Sequence, residues 1–303
     1  MNFKEHFHLY EALDKTNIYT RTIAKYLFGD EKRVDDIPLP HGKYQVGVDF
    51  QVDPKDLDTF TKLFPITPPK EGEELDSAGT KGSGNGEIAL YWLFSKDHTV
   101  QDMRGGDNPD LLIDNTKIEV KAYDSRRFGL GRFGNQASNR QLLSVVFGLK
   151  ALLNSIRPSD VAERQPSLDD FNKQEVIDSF KVLQDFDNNQ ELRKVASAYP
   201  LIDMIYKQID SVLAGLGLVT GKFTAEDGAA AMLRMLLITK LDKKPGDNGY
   251  IINIAYKKKL KNFQGTFFKV SIKNIKKLNT ENILNGVQAS GAALKIDPYL
   301  LFK

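Results

Sequence analysis

The segment from residue 108 to residue 123, NPDLLIDNTKIEVKAY, predicts a tight β-hairpin. If Asn115 and Thr116 form a two-residue turn, the cross-strand pairs are Asp110–Lys121, Leu111–Val120, Leu112–Glu119 and Ile113–Ile118. Because cross-strand partners share a face, one face of the hairpin is then apolar and can pack into a core. The other face gathers Asp110, Glu119 and Lys121. A register one residue away would mix the two faces, so the apolar pattern favours this one.

Two carboxylates and an ammonium group on one sheet surface favour phosphodiester hydrolysis. Mg²⁺ takes oxygen ligands, often one or two carboxylates together with water and substrate phosphate oxygens. A lysine beside the metal can orient the attacking water or stabilise the charge that develops on the phosphate. We therefore expect Asp110 and Glu119 to be metal ligands and Lys121 to be the catalytic lysine. The alternative is a charged, solvent-exposed hairpin face on which Asp110 and Lys121 form an ion pair of little energetic value.

These residues also resemble the signature of the PD-(D/E)XK nuclease superfamily, which has the restriction-endonuclease-like fold. Pro109-Asp110 corresponds to PD, and Glu119-Val120-Lys121 corresponds to E-x-K. The superfamily core runs helix, three strands, helix, strand, and the resemblance covers residues 80 to 155 approximately. Its helix before the first strand commonly carries an acidic residue, which implies Glu87 as a further catalytic residue and metal ligand. The resemblance implies a Mg²⁺-dependent DNA endonuclease or exonuclease, with Mn²⁺ as a substitute metal.

The order of predicted elements indicates a mixed α/β chain. We expect a restriction-endonuclease-like core sheet flanked by helices, with an added helical block and a C-terminal β-hairpin made of YIINIAY and TFFKVSI. Residues 43–52 alternate at period two and predict a further strand. Four segments are expected: an N-terminal helical and strand segment (1–76), a nuclease core (77–160), a helical block (161–245) and C-terminal strands that complete or flank the core (246–303).

A loop rich in arginine and glycine follows the hairpin and predicts contact with DNA. Arginines bind phosphates, and side-chain amides read base edges. The residues expected to contact DNA are Arg126, Arg127, Arg132, Gln136, Asn139, Arg140 and Gln141. A solvated loop is the alternative for any one of them.

Composition excludes several classes of site and bounds the partners. The chain has no cysteine, so thiolate metal sites, cysteine nucleophiles and disulfides are excluded. The net charge of +2 means that a polyanion must be held by local basic patches. No run approaches the roughly 20 apolar residues of a membrane span. We expect an intracellular (cytoplasmic) or virion-associated protein that is not secreted and does not bind membranes, with a homodimer or a phage or host protein as further partners.

Two alternative functions remain open from the sequence. One is a non-catalytic DNA-binding or phage virion structural protein of the same fold. The other is a dinucleotide-binding enzyme, because GLGRFG from Gly129 to Gly134 is a literal G-x-G-x-x-G. Such a motif should follow a buried parallel strand and open directly into a helix, whereas the strand before it is predicted to be antiparallel.

Overall fold

The computed structural model describes residues 13, 15–65, 85–103, 108–122, 127–132, 137–156, 172–290 and 293–302. The chain forms two compact units, each built from separate stretches of sequence. The first unit comprises Met1–Phe128, Leu241–Ile272 and Phe302, and the second comprises Gly129–Lys240, Lys273–Leu301 and Lys303. The first unit therefore contains the predicted segment 1–76 and the predicted nuclease core as far as Phe128. Two of the predicted boundaries, 76/77 and 160/161, lie outside the described residues.

The first unit is a mixed α/β structure around a six-stranded sheet. Its helices are α1 (Ile18–Phe28), α2 (Leu57–Leu63) and α3 (Asn85–Phe94). Its strands are β1 (Phe50–Gln51), β2 (Val100–Asp102), β3 (Leu111–Ile113), β4 (Thr116–Lys121), β6 (Tyr250–Lys257) and β7 (Asn262–Lys269). The strand order is β1-β7-β6-β4-β3-β2, and all neighbours are antiparallel except β4 and β6, which are parallel. The predicted mixed α/β class is confirmed.

Helix α3 is buried on nearly every side, as its apolar sequence predicts. Every residue from Ile88 to Phe94 is at most 6% exposed, and the helix contacts α1, α2, β2, β3 and β4. The core around it includes Leu111, Ile113, Ile118 and Val120. The hairpin therefore turns its apolar face toward α3, as expected from the sequence.

The register of the hairpin differs from the prediction by two residues. Leu111 pairs with Ile118 and Ile113 with Thr116, so Asp114 and Asn115 form the turn. Both turn residues have positive φ values, 49° and 63°, as in the type I′ turns that join twisted strands. The predicted turn placed Thr116 at a position where a β-branched residue is strained. A shift of two residues preserves which side chains share a face, so the apolar and polar faces are unchanged.

Two other predicted elements differ from the structure. Residues 43–52 form a strand only at Phe50–Gln51, because Gly47 turns with a φ of 83° and the Tyr44 hydroxyl donates to buried Asp56. The C-terminal hairpin is present as β6 and β7, but β7 begins at Asn262, four residues before the predicted strand. The first twelve residues of the predicted N-terminal helical and strand segment lie outside the described residues.

The second unit combines a helical block with a small sheet. Its helices are α4 (Ala137–Ile156), α5 (Lys173–Asp187), α6 (Gln190–Val195), α7 (Pro200–Gly215), most of α8 (Ala225–Lys243), α9 (Ile272–Lys277), α10 (Thr280–Gly286) and α11 (Pro298–Leu301). Its sheet has the order β5-β9-β8, with β5 at Phe128–Arg132, β8 at Val287–Ser290 and β9 at Ala293–Ile296. Pro200 begins α7, where its missing N–H costs no hydrogen bond. Among the described residues, no helix is long and apolar enough to span a membrane.

Candidate metal and hydrolysis site

Glu119 and Lys121 lie two residues apart on β4 and therefore point from the same face of the sheet. The Lys121 Nζ atom donates to Glu119 Oε1 at 2.7 Å. The Glu119 side chain is only 1% exposed and that of Lys121 is 15% exposed. This burial contradicts the alternative of a solvent-exposed charged face. A buried carboxylate is costly unless it is paired, and the ammonium of Lys121 supplies part of that pairing.

Asp110 lies immediately before β3 and joins the same face. Its backbone N–H donates to the Ile118 carbonyl at 3.1 Å, and the observed register continued by one residue sets Asp110 opposite Glu119. Its Oδ2 accepts a hydrogen bond of 2.7 Å from the backbone N–H of Val120. The predicted cross-strand pairing of Asp110 with Lys121 is therefore wrong. Asp110, Glu119 and Lys121 still share one face, because the observed register differs from the predicted one by an even number of residues.

The pKa of Asp110 is raised from 3.8 to about 7. Burial is the largest cause, since it disfavours the charged form, and the negative charge of Glu119 adds to it. The positive charges of Lys121 and Lys244 and the Val120 N–H act in the opposite direction. Two neighbouring carboxylates with one pKa raised in this way are typical of metal and hydrolytic sites.

Lys244 completes the cluster and was not predicted from the sequence. Its Nζ lies 2.8 Å from Glu119 Oε1 and 3.9 Å from Asp110 Oδ1. Burial lowers the pKa of Lys244, but the negative charges of Glu119, Asp110 and Glu87 outweigh burial and raise it overall. No local motif marks this lysine. It precedes β6, and only the parallel pairing of β6 with β4 brings it to Glu119.

The loop that carries Lys244 depends on two glycines. Gly246 has a φ of 67°, a conformation that glycine adopts without strain. A Cβ atom on Gly249 would lie 1.9 Å from the Pro245 carbonyl oxygen and 2.9 Å from that of Lys117. The chain therefore makes a tight turn between α8 and β6, and this turn fixes the backbone position of Lys244.

The second carboxylate oxygen of Glu119 fits a metal ligand. Glu119 Oε2 is buried and has no hydrogen-bond partner among the described residues. A buried acceptor without a partner is uncommon and unfavourable. Asp110 and Glu119 together offer the hard oxygen donors that Mg²⁺ prefers. The residues therefore fit a divalent cation held by two carboxylates, with its other positions left to water and substrate. No group of three or more described acidic or histidine side chains is close enough to hold a metal.

Glu87 lies in the first turn of α3, as predicted, but its nearest partner is elsewhere. The Tyr19 hydroxyl donates to Glu87 Oε2 at 2.7 Å. Gly86 lies against β4, since a Cβ atom on it would be 3.3 Å from a methyl group of Val120. The negative charge of Glu87 contributes to raising the pKa of Lys244. The role of Glu87 as a metal ligand stays a prediction.

The residues predicted to bind DNA are only partly described. Arg126 and Gln136 lie outside the described residues, as do the side chains of Arg132, Asn139 and Arg140. Arg127 is exposed in the first unit and Gln141 is exposed in the second. Gln141 also lines a cleft of about 710 Å³ between α4, α7 and α8, and none of the described residues that line this cleft is ionisable. DNA contact by this set stays a prediction.

Two further features, the glycines of β5 and the side chain of His98, have structural roles. Gly129 and Gly131 lie within strand β5, whereas a dinucleotide motif would place them in a loop between a strand and a helix. His98 lies between the Asp114 carboxylate (2.5 Å) and the Tyr44 carbonyl (2.7 Å), which anchors the hairpin turn.

Comparison with known proteins adds no assignment. No family model, curated protein or solved structure matches this chain. Any function must therefore be inferred from the residues and their geometry.

Proposed function

We propose that the first unit is a Mg²⁺-dependent nuclease that hydrolyses DNA phosphodiester bonds, with Mn²⁺ able to replace Mg²⁺. The observation that carries this proposal is the convergence of Asp110, Glu119 and Lys121 on one sheet face, where the buried Glu119 Oε2 atom has no partner among the described residues. Isolated structural ion pairs seldom leave a buried carboxylate oxygen unused, because such an atom is costly to bury.

The order of elements supports a restriction-endonuclease-like core. Helix α3 is followed by the antiparallel strands β2, β3 and β4, and β6 then pairs in parallel with β4. Between β4 and β6 the described chain has strand β5 and five α-helices, α4 to α8, most of them in the second unit, where the superfamily pattern has one helix. Asp110 lies at the start of the second of these strands and Glu119 and Lys121 lie on the third, where the PD and E-x-K signatures are expected.

Each side chain has a definite task in this proposal. Asp110 and Glu119 would hold the metal through carboxylate oxygens. A Mg²⁺ ion held there would lower the pKa of a water molecule and offset negative charge on the phosphate. Lys121, held in place by Glu119, donates hydrogen bonds toward the attacking water or the phosphate oxygens. Water gives up one proton to the solvent as it adds to phosphorus, the bond between phosphorus and the leaving oxygen breaks, and that oxygen takes up a proton from the solvent.

DNA as the substrate is supported by the sequence that follows β4. The predicted basic and amide residues follow β4 in the chain, but they do not form one loop. Exposed Arg127 lies in the first unit, whereas Arg132 lies on β5 and Asn139 to Gln141 lie in α4, in the second unit. The chain as a whole is close to neutral, so binding depends on this local charge and should weaken as salt is raised.

The deciding experiment is cleavage of supercoiled plasmid by the full chain with Mg²⁺ and with EDTA. Wild type should nick or linearise the plasmid only with the metal, and Lys121→Met should lose this activity while its circular dichroism and melting temperature stay close to wild type. Lys269→Met, which removes an exposed lysine from β7 of the same unit, should cut normally. Equal behaviour of wild type and Lys121→Met, including no cutting by either, would contradict the catalytic proposal and favour a non-catalytic DNA-binding protein.

A further inference from the structure

Lys244 lies beside both carboxylates of the proposed metal site. Its Nζ is 2.8 Å from Glu119 Oε1 and also within 4 Å of Asp110 Oδ1. Lys121 contacts the same Glu119 oxygen, at 2.7 Å. One oxygen of the Glu119 carboxylate thus contacts two ammonium groups, while the other, Oε2, has no partner in the part of the chain that the structure describes. The two oxygens of the Glu119 carboxylate therefore differ in their contacts.

The burial of the cluster explains why a second ammonium is present. Glu119 is almost fully buried and Asp110 is 17% exposed, so ionising both carboxylates places two negative charges close together and largely away from water. Charges at a partly buried site interact several times more strongly than in bulk water. Lys121 alone would leave the pair with a net negative charge. Lys244 brings the four groups to neutrality when both carboxylates are ionised.

We propose that Lys244 is a resident counter-ion that a divalent metal must displace from the two carboxylates, so that this lysine sets the metal concentration at which the site fills. The inference rests on the proposed metal site. Mg²⁺ binds oxygens at about 2.0–2.1 Å and needs their lone pairs directed at it. The ammonium of Lys244 uses a lone pair of Glu119 Oε1, and its charge repels a cation that binds Oε2 of the same carboxylate. Its flexible four-carbon side chain, 22% exposed, allows it to move aside into water.

The proposal makes Lys244 different from Lys121. Lys121 extends from β4 itself, and its ion pair is with Glu119. The charges of both lysines act on Asp110, that of Lys121 more strongly. Lys244 differs because it comes from a separate loop, so its side chain can leave the two carboxylates without any movement of β4. Removing Lys244 should therefore free a position beside both carboxylates.

The test is titration of the metal-free full chain with Mn²⁺, followed by electron paramagnetic resonance and calorimetry. Lys244→Met should bind Mn²⁺ roughly tenfold more tightly than wild type, as expected when a like charge a few ångströms away is removed. Lys244→Arg should stay close to wild type because it keeps the charge, and Lys269→Met should be unchanged. Lys244→Gln gives a second neutral variant should the methionine variant fail to fold.

The outcomes separate this inference from the nuclease proposal. Wild type that binds Mn²⁺ and cuts DNA, with Lys244→Met binding no more tightly, would overturn the role of Lys244 and leave the nuclease intact. Tighter binding by Lys244→Met in a protein that never cuts DNA would support the counter-ion role and refute the nuclease. Absence of Mn²⁺ binding by every variant would overturn both.

Discussion

The Nζ atom of Lys244 lies 2.8 Å from Oε1 of Glu119, although 125 positions separate the two residues in the chain. The parallel pairing of β6 with β4 and the tight turn at Gly249 create this contact. Glu119, Asp110, Lys121 and Lys244 thereby form one electrostatic unit, so a change at any of them should alter the others.

Glu119→Gln should abolish metal-dependent DNA cleavage and lower the free energy of unfolding by about 1–2 kcal/mol. The amide keeps the shape of the side chain but loses the charge that two ammonium groups share. The cost is moderate because both lysines are partly exposed and can be rehydrated. Chemical denaturation and plasmid nicking measure the two effects. Asp58→Asn, in an exposed ion pair with Lys62, should change neither; retained cutting by Glu119→Gln would exclude Glu119 as a ligand.

The stability of the metal-free protein should fall between about pH 4 and pH 7 because of Asp110. The pKa of Asp110 is about 7 in the folded protein and 3.8 as the ordinary value. In this interval the folded state holds a proton that the unfolded state has lost, so raising the pH favours unfolding. The contribution is full below pH 4 and is lost as the pH rises through 7.

Urea denaturation at several pH values checks this sign against Asp110→Asn, which cannot titrate. The difference in unfolding free energy, wild type minus variant, should decline across the interval. Asp58→Asn, whose native carboxyl is exposed, should reproduce the wild-type profile. A constant difference between wild type and Asp110→Asn would show that Asp110 keeps an ordinary pKa.

Gly249→Ala should destabilise the first unit by about 1–3 kcal/mol and weaken the contact of Lys244 with Glu119. The added methyl group would overlap backbone atoms of Pro245 and Lys117, which cannot rotate away as a side chain can. Gly148→Ala is the matched control, because a Cβ atom there meets no atom within 4 Å on a helix. Thermal unfolding measures both variants. Equal melting temperatures for wild type and Gly249→Ala would mean that the turn is looser than the structure shows.

Tyr19→Phe should lower the unfolding free energy by about 1–2 kcal/mol, since its hydroxyl donates to Glu87. The aromatic contact with Tyr91, at 5.4 Å between ring centroids, should survive. Glu87→Gln keeps an acceptor for Tyr19 and should change stability less, but it removes a charge that a metal could use. If Glu87→Gln cuts DNA at the wild-type rate over a Mg²⁺ titration, the prediction of Glu87 as a ligand is wrong.

Asn115→Gly should stabilise the hairpin by about 0.5 kcal/mol, because glycine accepts positive φ more easily than asparagine. Asp114→Gly should instead destabilise it, although Asp114 also has positive φ. Its carboxylate accepts from the Thr99 N–H and pairs with His98, and these contacts would be lost. Denaturant midpoints compare the two variants, and stabilisation by both would argue that the His98 contact adds nothing.

The sequence by itself determined which side chains share a face of the hairpin. Period-two alternation places Asp110, Glu119 and Lys121 together in any register that differs by an even number of residues, so the error at Asn115–Thr116 did not scatter them. The apolar run of α3 likewise predicted its burial without knowledge of its neighbours. These conclusions depend on local periodicity, which the order of residues carries directly.

Only the tertiary structure decided what the polar face meets. The register of the turn depends on backbone conformation at Asp114 and Asn115, and the short β1 depends on the bond between Tyr44 and Asp56. Lys244 reaches Glu119 through strand pairing between distant segments, and the burial that raises the pKa of Asp110 follows from that assembly. Contacts between residues more than a hundred positions apart arise from packing and from the pairing of distant strands. No local pattern of residue types predicts them.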